Sequence, residues 1–310
     1  MGEAFKEYDK IVCHSCQGGK QRRTSTEGQT VSRQKEGILS AEKPEPGDLV
    51  FSDQYESSVP GRFYNIRGQM NTHHTYSGGT IFYDAATRYI SLFNQIGFTT
   101  EETIECKIKI ERDCSSIGII IEKYCTDNSV YVSKAFEEHL EEMRQTIQHS
   151  GVGGHHHNAH AENAIKIVTQ KGRTMMFHSA LCWPEHTDLK LWPLALKHAE
   201  HLHNEMIQMD SGLAPIELWT KSKSSYSSIQ NAHTWGCPVF VLDPTLQDGK
   251  KIPKWQPRAQ IGQYVGASPN HASSVGLVRN LRTNNISPQY HLVYDDFFET
   301  VHSRDRKSVV

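Results

Sequence analysis

The chain has 310 residues, of which 37% are hydrophobic and 22% charged, and its formal net charge is −2. These values are typical of a globular protein with one large or two modest domains, and no stretch approaches the roughly 18 apolar residues of a membrane span. The near-neutral charge argues mildly against a free-standing nucleic-acid binder, so any DNA contact is expected to depend on local basic patches.

The first residues, MGEAFKEYDK, lack the apolar core of a secretory signal. The seven cysteines are odd in number and scattered, which favours a reducing compartment over a disulfide framework. We therefore expect an intracellular protein.

The amino-terminal part divides into two segments. Residues 1–24 contain Cys13 and Cys16 in CHSC, followed closely by the basic run KQRR. Residues 25–46 are rich in Ser, Thr, Gly, Gln and Glu and end in EKPEPG, a pattern that predicts a linker.

Residues 47–210 alternate between strand-like and helix-like patterns. The runs GDLVFSD and IGIIIEKYC predict strands, and TIFYDAATRYISLF predicts a hairpin. Thr99 and Glu102 form a possible capping box for a helix over about 100–114. Helical periodicity predicts three more helices, one from Ser133 to Ile147, one over about 160–178 and one over about 189–207. This order predicts an α/β fold in which helices cover a mixed sheet.

Residues 211–310 have a different pattern. LAPIELWT predicts a short helix and KSKSSYSS a flexible stretch. Four strand-like runs then follow between turns: CPVFVLD, AQIGQYVG, VGLVRNL and QYHLVYDDFF. A small, mostly β carboxy-terminal module is the simplest interpretation.

Three acidic residues carry most of the functional information. Asp53 ends a short apolar run, Asp127 follows a predicted strand, and Glu162 begins a predicted helix. Carboxylates from three different elements can hold a pair of Mg²⁺ ions about 4 Å apart, the arrangement used in phosphoryl transfer. Any one of them alone would more often be a surface acid or a helix cap. Asp84 and Asp113 are not expected to belong to the site, because one lies in the hairpin and the other in the last turn of a helix.

Glu162 also begins a polar stripe on its predicted helix, with Lys166, Thr169 and Arg173 at helical spacing. Two cations beside a metal-binding carboxylate would suit a DNA phosphate backbone held near the ions. The alternative is an ordinary solvated helix face with an i,i+4 ion pair between Glu162 and Lys166.

With these residues in place, the chain resembles the integrase core of copia-type retrotransposon Pol polyproteins, within the retroviral-integrase-like superfamily. The resemblance begins with GDLVFSD, CTDN and the Asn-x-x-x-Glu that opens a helix. It continues in order through KGRTMMFHSALCWPEHTDLKLWPLALKHAEHLHNEM, APIELWT, WGCPVFVLDP and SPQYHLVYDDFFETV. These stretches span nearly the whole chain.

The resemblance implies an RNase H-like fold in which Asp53, Asp127 and Glu162 are the catalytic, metal-binding triad, with Mg²⁺ or Mn²⁺ as cofactor, in two ions. It places Asn158 in a loop near the substrate. The implied partners are double-stranded DNA, as element ends and as target, and further copies of the chain assembled on that DNA. Action on chromosomal DNA implies the nucleus, although the sequence has no clear targeting signal.

The sequence departs from the family pattern near the predicted site. Ser129 and Val130 stand where the family has two glycines after its Asp-Asn pair, and Ala159 replaces the glycine after Asn158. CHSC followed by GKQ resembles the end of the family's zinc-binding module of two His and two Cys. Tetrahedral zinc needs four ligands, so Cys13 and Cys16, with His14 as a third candidate, would bind zinc only if a missing histidine half were supplied.

Two further clusters were weighed. His155, His156, His157 and His160 could suggest a metal site, but a Gly-rich loop lacks the rigid support that metal ligands need, so a loop over the active site is favoured. The basic residues of KQRR, and Lys250, Lys251, Lys254 and Arg258, either contact DNA or are ordinary solvated surface.

Three functions remain open from the sequence. The first is an integrase that joins the 3′ ends of element DNA to target DNA. The second is a catalytically inactive nucleic-acid-binding remnant of a degenerate element, which the altered loop and incomplete zinc motif favour. The third is a metal-dependent nuclease of the same fold that cuts without joining. The half-motif near the start and the SRDRKSVV tail predict a fragment of a polyprotein.

Overall fold

A computed structural model describes residues 13–21, 44–63, 75–128, 130–150 and 158–301. Its first part contains α1 (His14–Lys20), β1 (Val50–Gly61), β2 (Tyr76–Asp84), β3 (Ile90–Gln95), α2 (Thr100–Ser116), β4 (Lys123–Thr126), α3 (Lys134–Glu142), β5 (Thr146–His149), α4 (Ala159–Cys182) and α5 (Trp192–Glu205). Its second part contains α6 (Pro215–Thr220), α7 (Ser227–Gln230), β6 (Pro238–Leu242), α8 (Pro244–Gln247), β7 (Ala259–Ala267), β8 (Gly276–Asn280), β9 (Ile286–Gln289) and β10 (Leu292–Tyr294).

The first sheet has five strands in the order β3-β2-β1-β4-β5. The hairpin β2–β3 and the pair β1–β2 are antiparallel, whereas β1–β4 and β4–β5 are parallel. The parallel pairs need crossover connections, which α2 and α3 supply. This mixed sheet confirms the predicted RNase H-like fold class.

Alternate residues of the central strand β1 enter two different hydrophobic clusters. Val50 packs with Ile110 of α2 and Leu140 of α3, whereas Phe51 packs with Ala164 of α4 and Ala199 of α5. Because successive side chains of a strand point to opposite faces, these two clusters lie on opposite sides of the sheet. Helices on both faces were predicted and are confirmed.

The outer edge of the sheet, at β3, is covered by polar side chains of α5. The side chain of Asn204 accepts a hydrogen bond from the Ile90 backbone N–H (3.0 Å) and donates one to the Ile90 carbonyl (2.7 Å). Glu200 accepts from the Leu92 N–H (3.0 Å), and Lys197 donates to the Leu92 carbonyl (2.7 Å). The helix therefore meets backbone groups that a further strand would otherwise bond.

The predicted helix from Ser133 to Ile147 is wrong in its second half. Helix α3 ends at Glu142 because Arg144 adopts a left-handed backbone conformation (φ 56°) and the Gln145 N–H turns back to the Leu140 carbonyl. Ile147 then lies in β5, a strand that the sequence analysis missed.

Five antiparallel strands form the second sheet, in the order β10-β6-β7-β8-β9. The predicted mostly β module is confirmed, with one more strand than expected, because β9 is short and contains Pro288. Leu194 and Ala195 of α5 share a buried cluster with Trp235, Val265 and other residues of this part. No helix in the described part of the chain is long and apolar enough to span a bilayer.

We predict that Asn204→Ala lowers the free energy of unfolding by about 2 kcal/mol, because the Ile90 N–H and carbonyl would lose their buried partners. Urea denaturation measures the change. The matched control is Asn163→Ala, which removes an exposed asparagine from α4 and should leave stability unchanged or slightly higher. Equal stability of the two variants would contradict a stabilising role for this edge contact.

Candidate active site

Asp53 lies within β1 rather than at its end, so the predicted position at a strand terminus is wrong. The strand continues to Gly61 because its antiparallel pairing with β2 extends past Asp53, which is opposite Ile81. The parallel pairing with β4 covers only Val50 and Phe51. Asp53 therefore lies two residues beyond the last β1–β4 pair, at the end of the sheet where β4 stops and a loop begins.

Asp127 is the first residue after β4, as predicted. Two side chains that follow Asp127 are held by hydrogen bonds. The Asn128 side chain donates to the Ser150 carbonyl (3.0 Å), and the fully buried Tyr131 hydroxyl is hydrogen-bonded to the Ser52 hydroxyl (2.8 Å). Val130, one of the altered residues, is therefore followed directly by a buried tyrosine whose hydroxyl contacts the residue before Asp53.

Asn158 is the N-cap residue of α4, and its side chain is directed to the protein interior. It is only 3% exposed, and its Nδ2 donates to the Ser52 carbonyl (3.0 Å). The Glu162 N–H donates to the Asn158 carbonyl (3.2 Å), which places Glu162 in the first turn of the helix. Asn158 thus holds the start of α4 against β1, and its contact with DNA stays a prediction.

The three carboxylates interact electrostatically. The pKa of Asp53 is raised to about 6, chiefly by burial; the hydrogen bond from the Gln54 N–H lowers it, and the negative charges of Asp127 and Glu162 raise it. Asp53 is half-buried, and two further negative charges act on it, so negative charge is in excess around this carboxylate. The charges of Asp127 and Glu162 therefore act on Asp53, and a joint catalytic role of the three acids stays a prediction.

The donor chemistry of these residues fits a divalent cation, although they do not converge into a tight ligand set. Within the described ranges, no three His, Cys, Asp or Glu residues are close enough to hold a metal ion together. Mg²⁺ needs only one or two carboxylates because it retains several waters. The oxygen donors of Asp53, Asp127 and Glu162 suit this requirement.

The polar stripe of α4 leads away from Glu162 along one helix face. Lys166 and Arg173 are exposed, and Thr169 is half-buried. Thr169 and Arg173 also line a cavity of about 730 Å³ between the second half of β1, α4 and the carboxy-terminal part. Both cations are therefore accessible to a ligand that extends from the three carboxylates.

The CHSC pair lies on α1, which packs against α4. Gly18 and Gly19 permit this approach, because a Cβ at either would come within 2.5 Å of Phe177 or 2.3 Å of Thr174. The Cys16 N–H donates to the Cys13 Sγ (3.4 Å), and no third metal-binding side chain joins the pair in the described part of the chain. Zinc binding by Cys13 and Cys16 stays a prediction.

The remaining clusters lie apart from the three carboxylates or outside the described residues. His160, on α4, packs against the rings of Phe51 and Tyr83, and His155, His156 and His157 lie outside the described residues. Lys250, Lys251, Lys254 and Arg258 are all exposed before β7. No sequence pattern identifies Ser52 and Tyr131 as supports of the site, because their hydrogen bond joins residues 79 positions apart.

No family model matches the chain, and no curated protein matches it. Three of the solved structures that are similar to this chain are described here. The catalytic core domain of HTLV-2 integrase in complex with magnesium is 15% identical, with a TM-score of 0.40 over 56% of this chain and 97% of that one. The simian T-cell lymphotropic virus intasome with the PP2A regulatory subunit B56 gamma is 14% identical, with a TM-score of 0.43 over 91% and 87%.

The third is the catalytic core domain of BIV integrase, which is 10% identical, with a TM-score of 0.40 over 56% of this chain and 95% of that one. Similarities as distant as these do not carry an activity, a cofactor or a partner from those proteins to this chain.

We predict that Asp53→Asn stabilises the metal-free protein at neutral pH by about 2 kcal/mol. The folded protein binds the Asp53 proton more tightly than the unfolded chain, so wild-type stability falls relative to the variant as pH rises from about 4 to about 6. Above that range the difference is constant. Urea denaturation in EDTA at several pH values measures it.

Asp113→Asn, in the exposed last turn of α2, controls for the loss of one negative charge. A stability difference between wild type and Asp53→Asn that does not change between pH 4 and 7 would contradict the raised pKa.

Proposed function

We propose that this chain is the integrase of a copia-type retrotransposon, which joins the 3′ ends of element DNA to target DNA by metal-dependent phosphoryl transfer. The observation that carries the proposal is the electrostatic cluster of Asp53, Asp127 and Glu162. The three come from a central strand, a strand end and a helix start, and Asp53 has a raised pKa because of burial and the other two. Acids held in this way by an RNase H-like sheet suit two-metal chemistry.

In the proposed reaction, Asp53 and Asp127 would share the ions and Glu162 would complete one coordination sphere. Bound Mg²⁺ or Mn²⁺ would activate the attacking oxygen, from water or a DNA 3′ hydroxyl, and stabilise the leaving 3′ oxygen. The hydrogen bond from Asn158 to the Ser52 carbonyl holds the start of α4, which carries Glu162, against the strand that carries Asp53. Lys166 and Arg173, both exposed on α4, would hold the phosphate backbone.

The proposed partners follow from this substrate. Double-stranded DNA supplies both the element ends and the target, and we expect several copies of the chain to assemble on it. Because the target is chromosomal, action in the nucleus is part of the proposal. The origin of the chain in a larger Pol polyprotein is also part of it.

The activity test is strand transfer of an element-end duplex into target DNA with Mg²⁺ or Mn²⁺. Asp127→Asn and Glu162→Gln should each reduce joined product by about a hundredfold or more, because each would remove a metal-binding charge. Asp113→Asn is the matched control and should retain activity. Joined product in wild type that both substitutions leave intact would contradict the proposed site.

Two other outcomes of this assay would support the alternative functions, a nuclease or an inactive remnant. Cut DNA that is never joined to target would indicate the nuclease. DNA binding without cutting or joining in either metal would indicate the inactive remnant, for which the residues Ser129, Val130 and Ala159 beside the acids are the specific observation.

DNA affinity tests the α4 stripe separately from catalysis. Lys166→Gln and Arg173→Gln should each weaken duplex binding and reduce the slope of log affinity against log salt by about one, because each would release one fewer counterion. Fluorescence anisotropy in EDTA over a salt series measures this. Lys109→Gln, on the exposed face of α2, is the control, and an equal loss of slope there would contradict a specific role for α4.

A further inference from the structure

One of the five tryptophans differs from the other four because it is almost fully exposed. Trp255 is 89% exposed, whereas Trp183, Trp192, Trp219 and Trp235 are each at most 9% exposed. Tryptophan is on average a highly buried residue, and an indole ring in water leaves a large apolar area uncovered. The position of Trp255 therefore has no explanation in the packing of the core.

Trp255 lies at the tip of the loop 248–258, which connects α8 to β7. The Gln256 N–H donates to the Pro253 carbonyl (3.0 Å), so Trp255 is one of the two central residues of a β-turn. Pro253 and Pro257 have a fixed φ, which restricts the backbone on both sides of the ring. The exposed indole is therefore carried by a restrained turn.

The same loop concentrates positive charge, and we call it the basic loop. Residues 248–258 contain four basic residues and one acid, a net charge of +3, whereas the whole chain has −2. The four cations are all exposed: Lys250, Lys251, Lys254 and Arg258. Within the described part of the chain, only Lys250 among them has an ion pair, a contact of 3.6 Å with Asp248. The other three charges are available to an anionic partner.

The indole ring and one of these cations are in direct contact. Lys254 Nζ lies over the Trp255 ring, 5.2 Å from its centre. This cation–π contact orients the ring, and the high exposure of Trp255 leaves its other face open to solvent. A planar aromatic group can stack on that open face while an anionic group attached to it reaches the surrounding cations.

We propose that Trp255 and the basic loop bind unpaired nucleotides of single-stranded DNA or RNA, with one base stacked on the indole and its neighbouring phosphates near the cations. Every base has a π-face, so an aromatic side chain among basic residues binds single strands with little sequence preference. In a duplex the face of each base is covered by its neighbours, and the ring could meet only the backbone or the edges of bases. Trp255 would therefore distinguish unpaired from paired nucleotides, which the lysines alone would not.

The composition of the loop favours a nucleic acid over a protein or a membrane. Protein interfaces are enriched in Trp and Arg but depleted in Lys, and three of the four cations are lysines. Binding at a membrane surface requires a broad apolar face. Trp255 is the only exposed large hydrophobic residue within 248–258, a segment that the structure describes completely.

The test is fluorescence anisotropy of a labelled oligothymidylate of about 20 nucleotides with the full chain in EDTA. Trp255→Ala should weaken binding about tenfold without changing the slope of log affinity against log salt, because it removes a stacking contact and no charge. Trp255→Phe keeps an aromatic ring and should bind within about threefold of the wild type. The affinity for a blunt duplex of about 20 base pairs should be the same in all three proteins.

The matched control is Phe297→Ala. Phe297 is 79% exposed, but it follows two acids, Asp295 and Asp296, and has no basic neighbour in sequence. Loss of this ring should leave single-strand affinity unchanged. An oligouridylate of the same length shows which sugar is preferred, and stacking on Trp255 predicts the same tenfold loss for Trp255→Ala with about either oligomer.

Intrinsic fluorescence gives a second readout, which a purely electrostatic role of the basic loop would not change. The other four tryptophans are buried, so quenching of tryptophan emission by added oligothymidylate should come from Trp255. Trp255→Phe should bind the oligonucleotide without this quenching.

Three results would overturn the proposal. The first is equal single-strand affinity of the wild type and Trp255→Ala, and the second is an equal loss of affinity for single strand and duplex. The third is that Trp255→Ala loses binding to vesicles of phosphatidylcholine and phosphatidylserine while its oligonucleotide affinity is unchanged, which would assign the loop to a membrane surface. No readout depends on strand transfer, so the single-strand site and the proposed integrase activity can fail independently.

Discussion

Two of the segments that carry the acids are hydrogen-bonded to a single residue of the third, Ser52. Its carbonyl holds Asn158 at the start of α4, and its hydroxyl holds Tyr131 in the segment after Asp127. Ser52 itself is fully buried in the central strand, immediately before Asp53. A shift of either segment would break a buried hydrogen bond, which is costly in an interior that water does not reach. The spacing of the acids is thus set by protein contacts that do not require a metal.

Helix α5 connects this arrangement to the carboxy-terminal part of the chain. One face of the helix binds β3, while Leu194 and Ala195 pack with Trp235 and Val265 in a shared cluster. Helix α5 buries apolar surface on one side and bonds the backbone groups of β3 on the other. These two sets of contacts restrict its movement. The core sheet and the second sheet therefore have a common structural element.

Local patterns were enough to predict a mixed sheet covered by helices, the hairpin and most helices, whereas the role of the three acids stays a prediction. The β1 and α3 boundaries were misjudged because tertiary pairing and the left-handed backbone at Arg144 overrode local periodicity. Short strands such as β5 carry too few residues for a clear alternation. Ser52 and Tyr131 could not be recognised as important from the sequence. Each has its role through a partner far away in the sequence, and no local property of a serine or tyrosine indicates such a partner.

The cover that α5 provides on β3 also limits how copies of this chain can associate. An open strand edge is a template for β-augmentation, in which a strand from another molecule continues the sheet. At β3, an incoming strand would have to displace Asn204, Glu200 and Lys197 from the Ile90 and Leu92 backbone groups. The opposite edge, β5, has only four residues and offers a short template. Growth of this sheet into a continuous intermolecular ribbon is thereby disfavoured at both ends, which protects the fold from edge-to-edge aggregation.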